Sequence, residues 1–179
     1  MSGVAERQTA RLRLTRIRAQ HFDTLHTLHT NEAVMATLGG VRSRAETQRV
    51  LDMLVAHWDE HGFGYWMAYD LASGRFAGRG GLRWVSIEGR DEVEVGYAVM
   101  PEFAGRGLAT ELAGESTRVG FQALGLRELV CFTLTTNRAS QRVMEKVGFR
   151  YVGPCVWADQ PHVLYRLAAD DLRRLTPAR

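Results

Sequence analysis

The sequence predicts an α+β fold, an α/β three-layer arrangement in which a twisted, mixed and mostly antiparallel sheet of about seven strands is flanked by helices. Three features predict it. Short alternating segments between residues 63 and 99 are separated by turn residues, as in an antiparallel meander. A helical pattern follows over residues 108–124, and residues 128–134 are apolar on both faces. Such a strand is buried, and after a helical crossover it runs parallel to the preceding strand.

The N-terminal third contains a strand and two helical regions. A polar, flexible lead over residues 1–10 precedes a strand at residues 12–17. Apolar residues then recur at three- to four-residue intervals from 22 to 38, which predicts one helix or two short ones. Residues 43–46 (Ser-Arg-Ala-Glu) form a capping-box pattern, in which the serine and the glutamate satisfy each other's backbone N–H groups. This pattern opens a helix that Gly62 ends.

The meander leads into a central strand. Residues 63–70 and 76–86 predict a hairpin, and a further turn leads to a strand over residues 91–100 that Pro101 ends. The side chains of this strand alternate with a period of two, which predicts a half-buried strand. One face carries Val93, Val95, Tyr97 and Val99, and the other carries Glu92, Glu94, Gly96 and Ala98.

The C-terminal half begins with a glycine-rich turn, residues 104–109, that joins the central strand to a helix. After the apolar strand, Asn137 is placed to cap a second helix. Two strands at 152–157 and 162–167 form a closing hairpin, and residues 170–179 are a polar tail.

Composition predicts one domain spanning residues 1–179. A chain of 179 residues with 45% hydrophobic residues is long enough for one core. Because no apolar run approaches membrane-spanning length and no signal segment opens the chain, we expect a cytoplasmic protein without a membrane partner. The net charge of +3 and the pI near 9.2 come from dispersed arginines, so no nucleic-acid partner is expected.

Cysteines and histidines do not form a metal-binding pattern. Cys131 and Cys155 lie in apolar, strand-like settings and are expected to be reduced core thiols. His21, His26 and His29 have no further convergent ligands, so we expect surface or edge histidines and no metal.

The turn at residues 104–109 has the chemistry of a diphosphate site. Gly105 and Gly107 permit unusual backbone angles, and a helix N-terminus presents free N–H groups with a partial positive charge. The same glycines could serve only the connection. A dinucleotide-binding fold would place this turn after its first strand and would have a third glycine where this chain has Thr110.

The order of elements and two motifs resemble the GNAT superfamily of acetyl-CoA-dependent N-acetyltransferases. The resemblance covers about residues 11–167. The glycine turn matches that family's pyrophosphate turn except at Ala104, where Gln or Arg is usual. The second motif runs from Asn137 to Phe149. With residues 101–103 and the Tyr-Arg-Leu ending, the chain looks most like the branch of ribosomal-protein serine and alanine N-terminal acetyltransferases.

The resemblance implies a coenzyme site and a direct acetyl transfer. It implies that acetyl-CoA is the donor, that backbone amides hold its diphosphate, and that the pantetheine arm lies in a V-shaped opening between the parallel strands. No metal is implied. The residues implied to bind the coenzyme are Val99, Ala104, Gly105, Arg106, Gly107, Leu108, Ala109 and Asn137.

Such a transfer needs a base for the acceptor ammonium and a proton for the leaving thiolate. Strand alternation places Glu94 beside Gly96 and Ala98, which leave room for a substrate, so Glu94 is our candidate base. The alternative is a solvent-facing carboxylate. Many relatives have a tyrosine seven residues after the motif asparagine, but here Met144 stands there and cannot donate a proton. Ser140 or water is then the candidate donor, although Ser140 also suits a helix N-terminus.

The sequence does not identify the acceptor. The primary amine of a small molecule or of a protein N-terminus fits the resemblance, which also implies a possible homodimer. Trp66, Trp84, Trp157 and Tyr97 are candidate lining residues, although each also suits the core. Two other interpretations remain: a catalytically degenerate acyl-CoA-binding regulatory module, prompted by Met144, and a nucleic-acid-associated protein, prompted only by the pI.

Overall fold

The computed structural model describes residues 2–171, which form one eight-stranded sheet with helices packed around it. The strands are β1 (Glu6–Gln8), β2 (Leu12–Arg16), β3 (Tyr65–Asp70), β4 (Phe76–Ile87), β5 (Arg90–Val99), β6 (Glu128–Leu134), β7 (Arg150–Trp157) and β8 (Gln160–Ala168). The α-helices are α1 (Ser2–Ala5), α2 (Phe22–His29), α3 (Glu32–Met35), α4 (Arg44–His61), α5 (Leu108–Arg118) and α6 (Arg138–Val147).

The sheet has the order β1-β2-β3-β4-β5-β6-β8-β7, and only β5 and β6 pair in parallel. This arrangement confirms the predicted fold class. The meander predicted from residues 63–99 is confirmed as β3, β4 and β5. Tyr65 lies opposite Gly81, and Arg83 lies opposite Glu94. The register therefore brings Tyr65, Arg83 and Glu94 onto one face of the sheet.

Local capping signals are confirmed. The Ser43 hydroxyl accepts a hydrogen bond from the N–H of Glu46 (3.3 Å), and the Glu46 carboxylate accepts one from the N–H of Ser43 (2.8 Å). Gly62 ends α4 with a φ of 73°. The Asn137 side chain accepts from the N–H of Ser140 (3.1 Å) and caps α6.

The N-terminal lead differs from the expectation. Residues 6–8 form β1, which adds an edge strand and raises the strand count from about seven to eight. Arg7 lies opposite Leu14, and its guanidinium bonds Glu115 of α5 at 2.7 Å. Three polar residues carry no apolar alternation, so no strand pattern is visible at residues 6–8. Residues 172–179, most of the predicted tail, lie outside the described residues.

The helix after the glycine turn also departs from regularity. The predicted helix is α5, which continues as one π-helical turn, Val119–Ala123. It packs on β4 and β5, where Leu112 closes over the position that a Cβ on Gly80 would take, at 2.8 Å. A side chain at residue 80 would therefore push the helix from the sheet.

The central strand is covered on both faces. Val95 is fully buried on one face, and Glu94 on the other is only 6% exposed. The expectation of a half-buried strand is wrong, because α4 and its flanking loops cover the second face. No helix among residues 2–171 is long and apolar enough to cross a membrane.

The cysteine prediction is confirmed and the histidine prediction is partly wrong. Cys131 and Cys155 are both free and buried. His29 is fully buried, although a surface or edge position was expected. Its burial follows from the packing of α2 on α4, where its ring bonds the hydroxyl of Thr47 at 3.1 Å. Residues 2–171 hold no group of three or more His, Cys, Asp or Glu side chains placed for a metal ion.

Candidate active site

A cavity of about 820 Å³ opens where β5 and β6 separate. In the described chain the parallel pairing of these strands is confined to Glu94 opposite Val130. At the point of divergence the Cys131 thiol donates a hydrogen bond to the carbonyl of Val95 (3.0 Å). The cavity continues along β5 to Val99. The two strands thus form the V-shaped opening that the resemblance implied.

The glycine turn presents six consecutive free amides. Gly105 and Gly107 have φ values of 72° and 77°, which only glycine adopts without strain. The N–H groups of residues 105–110 have no hydrogen-bond acceptor between residues 2 and 171. Ala104 differs from the expectation that its amide is available, because that N–H donates to the carbonyl of Pro101 (3.0 Å). The turn and the first residue of α5 line the cavity.

Side chains from the turn between β1 and β2 and from α5 hold the glycine turn in place. Arg11 donates to the carbonyl of Arg106 (2.6 Å) and to the carboxylate of Glu111 (2.7 Å). Burial alone would raise the pKa of Glu111, but hydrogen bonds from Thr9 and Arg11 outweigh it and lower that pKa. The Arg106 guanidinium lies 3.6 Å from Asp70 and outside the cavity lining. The Arg106 guanidinium is thus paired with Asp70, and the group that this residue offers at the turn is its free backbone N–H.

The N-terminal turn of α6 supplies polar groups to the same cavity. The Asn137 oxygen caps the helix, and its side-chain NH₂ has no acceptor in the part of the chain that the structure describes. The Ser140 hydroxyl lies 2.9 Å from the hydroxyl of Tyr97. Burial raises the pKa of Tyr97, so this phenol keeps its proton. Met144 is 1% exposed and packs in the core.

Two cations on α6 were missed from the sequence. Arg142 and Lys146 are exposed, line the cavity and form no ion pair with any described residue. They lie one helical turn apart on α6, which packs against α5, the helix that begins at the free amides. Two cations four residues apart, in the helix that Asn137 caps, were the available signal.

Glu94 lies in the other half of the cavity, with one oxygen engaged and one free. Its Oε2 accepts from Arg83 Nε (2.5 Å) and lies 3.5 Å from the Tyr65 hydroxyl. Its Oε1 has no hydrogen-bond partner among residues 2–171. The carboxylate is therefore not solvent-facing, and it points one acceptor oxygen into the cavity.

The expectation that Gly96 leaves room for a substrate is wrong. A Cβ on Gly96 would lie 1.7 Å from the Tyr65 hydroxyl, so the phenol already fills that space. Burial, and then the charge of Glu94, raises the pKa of Tyr65 to about 12. The absence of a side chain at Gly96 therefore leaves space for the protonated Tyr65 phenol, which lies 3.5 Å from the Glu94 carboxylate.

Three arginines surround this carboxylate. Arg42, Arg79 and Arg83 line the cavity, and the guanidinium of Arg79 lies 5.1 Å from the centre of the Tyr65 ring. Although burial opposes the charged form, Glu94 raises the pKa of Arg83 above its usual value. Burial lowers the pKa of Arg79, and the like charge of Arg83 lowers it further.

The candidate aromatic residues divide between cavity, core and surface. Trp157 and Tyr97 line the cavity. Trp66 is 1% exposed and belongs to the core, and Trp84 is 43% exposed outside this cavity. The sequence could not separate these roles, because all four positions combine aromatic character with a strand.

A family model described as an acetyltransferase (GNAT) domain matches residues 11–150. The chain belongs to this family. It is an acetyl-CoA-dependent N-acetyltransferase, which transfers an acetyl group from acetyl-CoA to an amine. The predictions of fold class, coenzyme and reaction are thereby confirmed.

Named relatives agree with this assignment. The acetyltransferase is 32% identical over 156 residues to an FsC-acetyl coenzyme A-N(2)-transacetylase of Aspergillus fumigatus. This match covers 80% of the present chain and 64% of the length of the relative. An acetyltransferase of Agrobacterium tumefaciens shares the fold with a TM-score of 0.80, 24% identity and coverage of 92% and 95%. A ribosomal L7/L12 α-N-protein acetyltransferase in complex with coenzyme A also shares the fold, with a TM-score of 0.72 and 19% identity. The match covers 91% of this chain and 97% of that one.

Proposed function

We propose that this acetyltransferase acts on a primary amine at the N-terminus of a peptide or protein. The observation that carries the proposal is that one cavity holds both the free amides of residues 105–110 and the free oxygen of Glu94. The first group suits a diphosphate, and the second suits an ammonium. The ribosomal-protein acetyltransferase with the same fold supports an N-terminal acceptor. The N(2)-transacetylase supports a small-molecule amine as second candidate.

In this proposal the chain holds the coenzyme mainly through its backbone. The N–H groups from Gly105 to Ala109, those of Arg106 and Leu108 included, bind the diphosphate, and Ala104 contributes only contact surface. Arg142 and Lys146 add cationic charge on the same side. The backbone of Val99 and the free NH₂ of Asn137 bind the pantetheine arm. The bound coenzyme supplies the activated acetyl thioester.

Glu94 is the proposed base. Its free Oε1 accepts a proton from the acceptor ammonium, directly or through one water, which leaves the amine lone pair available to attack the thioester carbon. Arg83 and Tyr65 fix the other oxygen, so the carboxylate cannot rotate away from the cavity. Holding base and amine in place removes much of the entropic cost of the reaction.

Ser140 is the proposed proton donor to the leaving thiolate. As the new N–C bond forms, the C–S bond breaks and the sulfur takes a proton. The Ser140 hydroxyl reaches the cavity and bonds Tyr97, so it can pass to the sulfur the second proton that the acceptor nitrogen loses as the amide forms, while the Tyr97 phenol stays protonated and holds the serine in place. The pair Ser140–Tyr97 thus fills the role for which Met144 has no suitable atom.

The direct test measures thiol release from acetyl-CoA with a panel of N-terminal peptides, polyamines, amino acids and aminoglycosides. We expect saturable turnover with at least one peptide or amine, and submillimolar coenzyme affinity by calorimetry. Coenzyme binding without turnover across the panel would contradict the proposed reaction and favour a binding module.

The role of Glu94 is tested by Glu94→Gln, which keeps the shape of the side chain and an oxygen for Arg83. We expect kcat to fall about a hundredfold or more, with an unchanged coenzyme Kd. Glu92→Gln is the matched control, because Glu92 lies on the same strand, pairs with Arg166 and is outside the cavity. Equal activity in the two variants would remove Glu94 from the mechanism.

Homodimer formation and a cytoplasmic location, both expected from the sequence, stay predictions. So does the assignment of residues 1–179 to one domain.

A further inference from the structure

The acceptor half of the cavity carries an excess of positive charge. Arg42, Arg79 and Arg83 line it, and Glu94 is the only carboxylate among the described lining residues. Arg83 forms an ion pair with Glu94, in which its Nε lies 2.5 Å from Oε2. The guanidiniums of Arg42 and Arg79 form no ion pair with residues 2–171, although Glu46 acts on Arg42 and Glu94 acts on Arg79 at longer range.

Arg79 is the least satisfied of the three. It is half-buried, its Nε is buried without a hydrogen-bond partner, and it forms no ion pair with residues 2–171. Its guanidinium lies over the Tyr65 ring, 5.1 Å from the ring centre. A guanidinium stays charged at any physiological pH, and a charge removed from water without a partner is costly. An unpaired guanidinium at a cavity wall therefore indicates a site for an anionic ligand group.

Arg42 adds to this charge from the loop before α4. Its guanidinium bonds the His29 ring (3.3 Å) and the carbonyl of Leu38 (3.2 Å), both neutral acceptors. Burial, and then the charges of Arg79 and Arg42, lower the pKa of His29 to about 3. The neutral imidazole therefore supports Arg42 without cancelling its charge.

We propose that the acceptor carries an oxyanion, a carboxylate or a phosphate, which binds Arg79 and Arg42 while its amine faces Glu94. This proposal rests on the proposed function and specifies the substrate class of the same site. The side chain of Tyr65 sets the spacing, because Arg79 lies over its ring and its hydroxyl lies 3.5 Å from Glu94. Amine and oxyanion are thus separated by about one tyrosine side chain, as in a short amino acid or an acidic peptide N-terminus.

The coenzyme is an unsuitable counter-ion for these arginines. The free amides of the turn begin α5, which packs on the face of the sheet that carries Gly80, where Leu112 contacts it. Arg79 lies opposite Ala98 on the face that carries Glu94. An anion at Arg79 would therefore belong to the molecule that Glu94 deprotonates.

The test compares acceptors that differ only in charge: 4-aminobutyrate with its amide, phosphoethanolamine with ethanolamine, and tripeptides with Glu or Gln at the second residue. We expect kcat/KM to be about ten- to a hundredfold higher for the anionic member of at least one pair. The pair with the largest ratio identifies the carboxylate, phosphate or peptide source. Equal or better turnover of the neutral member in every pair overturns the proposal.

Variants separate substrate recognition from structural support. Arg79→Met should lower kcat/KM for the anionic acceptor by about tenfold or more, leave the neutral acceptor within about twofold and raise Tm, because an unpaired charge is removed. Arg79→Lys should restore part of the preference. Arg49→Met is the control, since Arg49 is exposed on α4 and outside the cavity. A coenzyme Kd that weakens with Arg79→Met while acceptor preference stays would refute the assignment.

A binding measurement covers the case in which no amine is turned over. Coenzyme-saturated protein is titrated with glutarate, inorganic phosphate and neutral glutaramide, and Tm is recorded. Stabilisation by an anion that Arg79→Met abolishes supports the site even without catalysis, and thus separates this proposal from the proposed reaction. No anion-specific shift in wild-type protein counts against it.

Discussion

Replacing Gly105 by alanine is the sharpest test of the diphosphate turn. Gly105 has a φ of 72°, and a Cβ at that position meets no atom within 4 Å. The substitution therefore adds no clash and changes only the backbone preference. An alanine in this left-handed region costs about 1–2 kcal/mol, so the free turn gains that amount by leaving the conformation that presents its amides. Part of the binding free energy of the coenzyme is then used to return the turn to the conformation that presents its amides.

This cost appears directly as lost affinity. If the free variant leaves the competent conformation, the apparent Kd for coenzyme A rises by the inverse of the competent fraction, about five- to thirtyfold for 1–2 kcal/mol. Gly105→Asn should have a smaller effect, because asparagine tolerates the left-handed region better than alanine. Isothermal titration calorimetry with coenzyme A measures both values.

Gly125 provides a matched control. Its φ is 67°, a Cβ there also meets nothing within 4 Å, and it follows the π-helical turn outside the cavity. Gly125→Ala should therefore lose similar stability in urea unfolding while keeping the wild-type Kd. Wild-type affinity in Gly105→Ala at equal destabilisation, or equal loss of affinity in Gly125→Ala, would show that the turn does not hold the diphosphate.

Two further predictions concern buried polar groups. His29 has a folded-state pKa of about 3 against about 6.5 unfolded, so its stabilisation is present above pH 6.5 and is lost as pH falls towards 3, by at most about 1.4 kcal/mol per unit. Urea unfolding between pH 5 and 7 should show a flatter profile for His29→Gln, and parallel profiles would count against this cause. Ser140→Ala and Tyr97→Phe should each lower kcat with little change in coenzyme Kd, and the double variant should cost less than the product of the single effects. Fully multiplicative effects would mean that the two hydroxyls act separately.

Elements whose signals are local in sequence were predictable. The capping box of Ser43 and Glu46 and the cap at Asn137 each need only residues three apart, so their chemistry is visible before folding. The glycine turn was likewise found from residues 104–109. β1 was not, because it gains its place from pairing with β2 and from an ion pair to α5.

Features that depend on strand register were not predictable. Glu94 was found as a candidate, but its partner Arg83 is reached only by pairing β4 with β5. The same register places Tyr65 over Gly96 and brings Arg79 to the cavity wall. The charge of the acceptor half is therefore a property of three strands and one loop, and no single stretch of sequence shows it.

The fork between β5 and β6 divides the sheet into a five-stranded and a three-stranded plate. In the described chain the plates are joined by one pair of residues in register, by the hydrogen bond from the Cys131 thiol to the Val95 carbonyl and by the ion pair between Arg166 and Glu92. A molecule bound between β5 and β6 contacts both plates and holds them together. Relative motion of the two plates should therefore decrease when a ligand occupies the cavity. Amide hydrogen exchange should then slow in both β5 and β6.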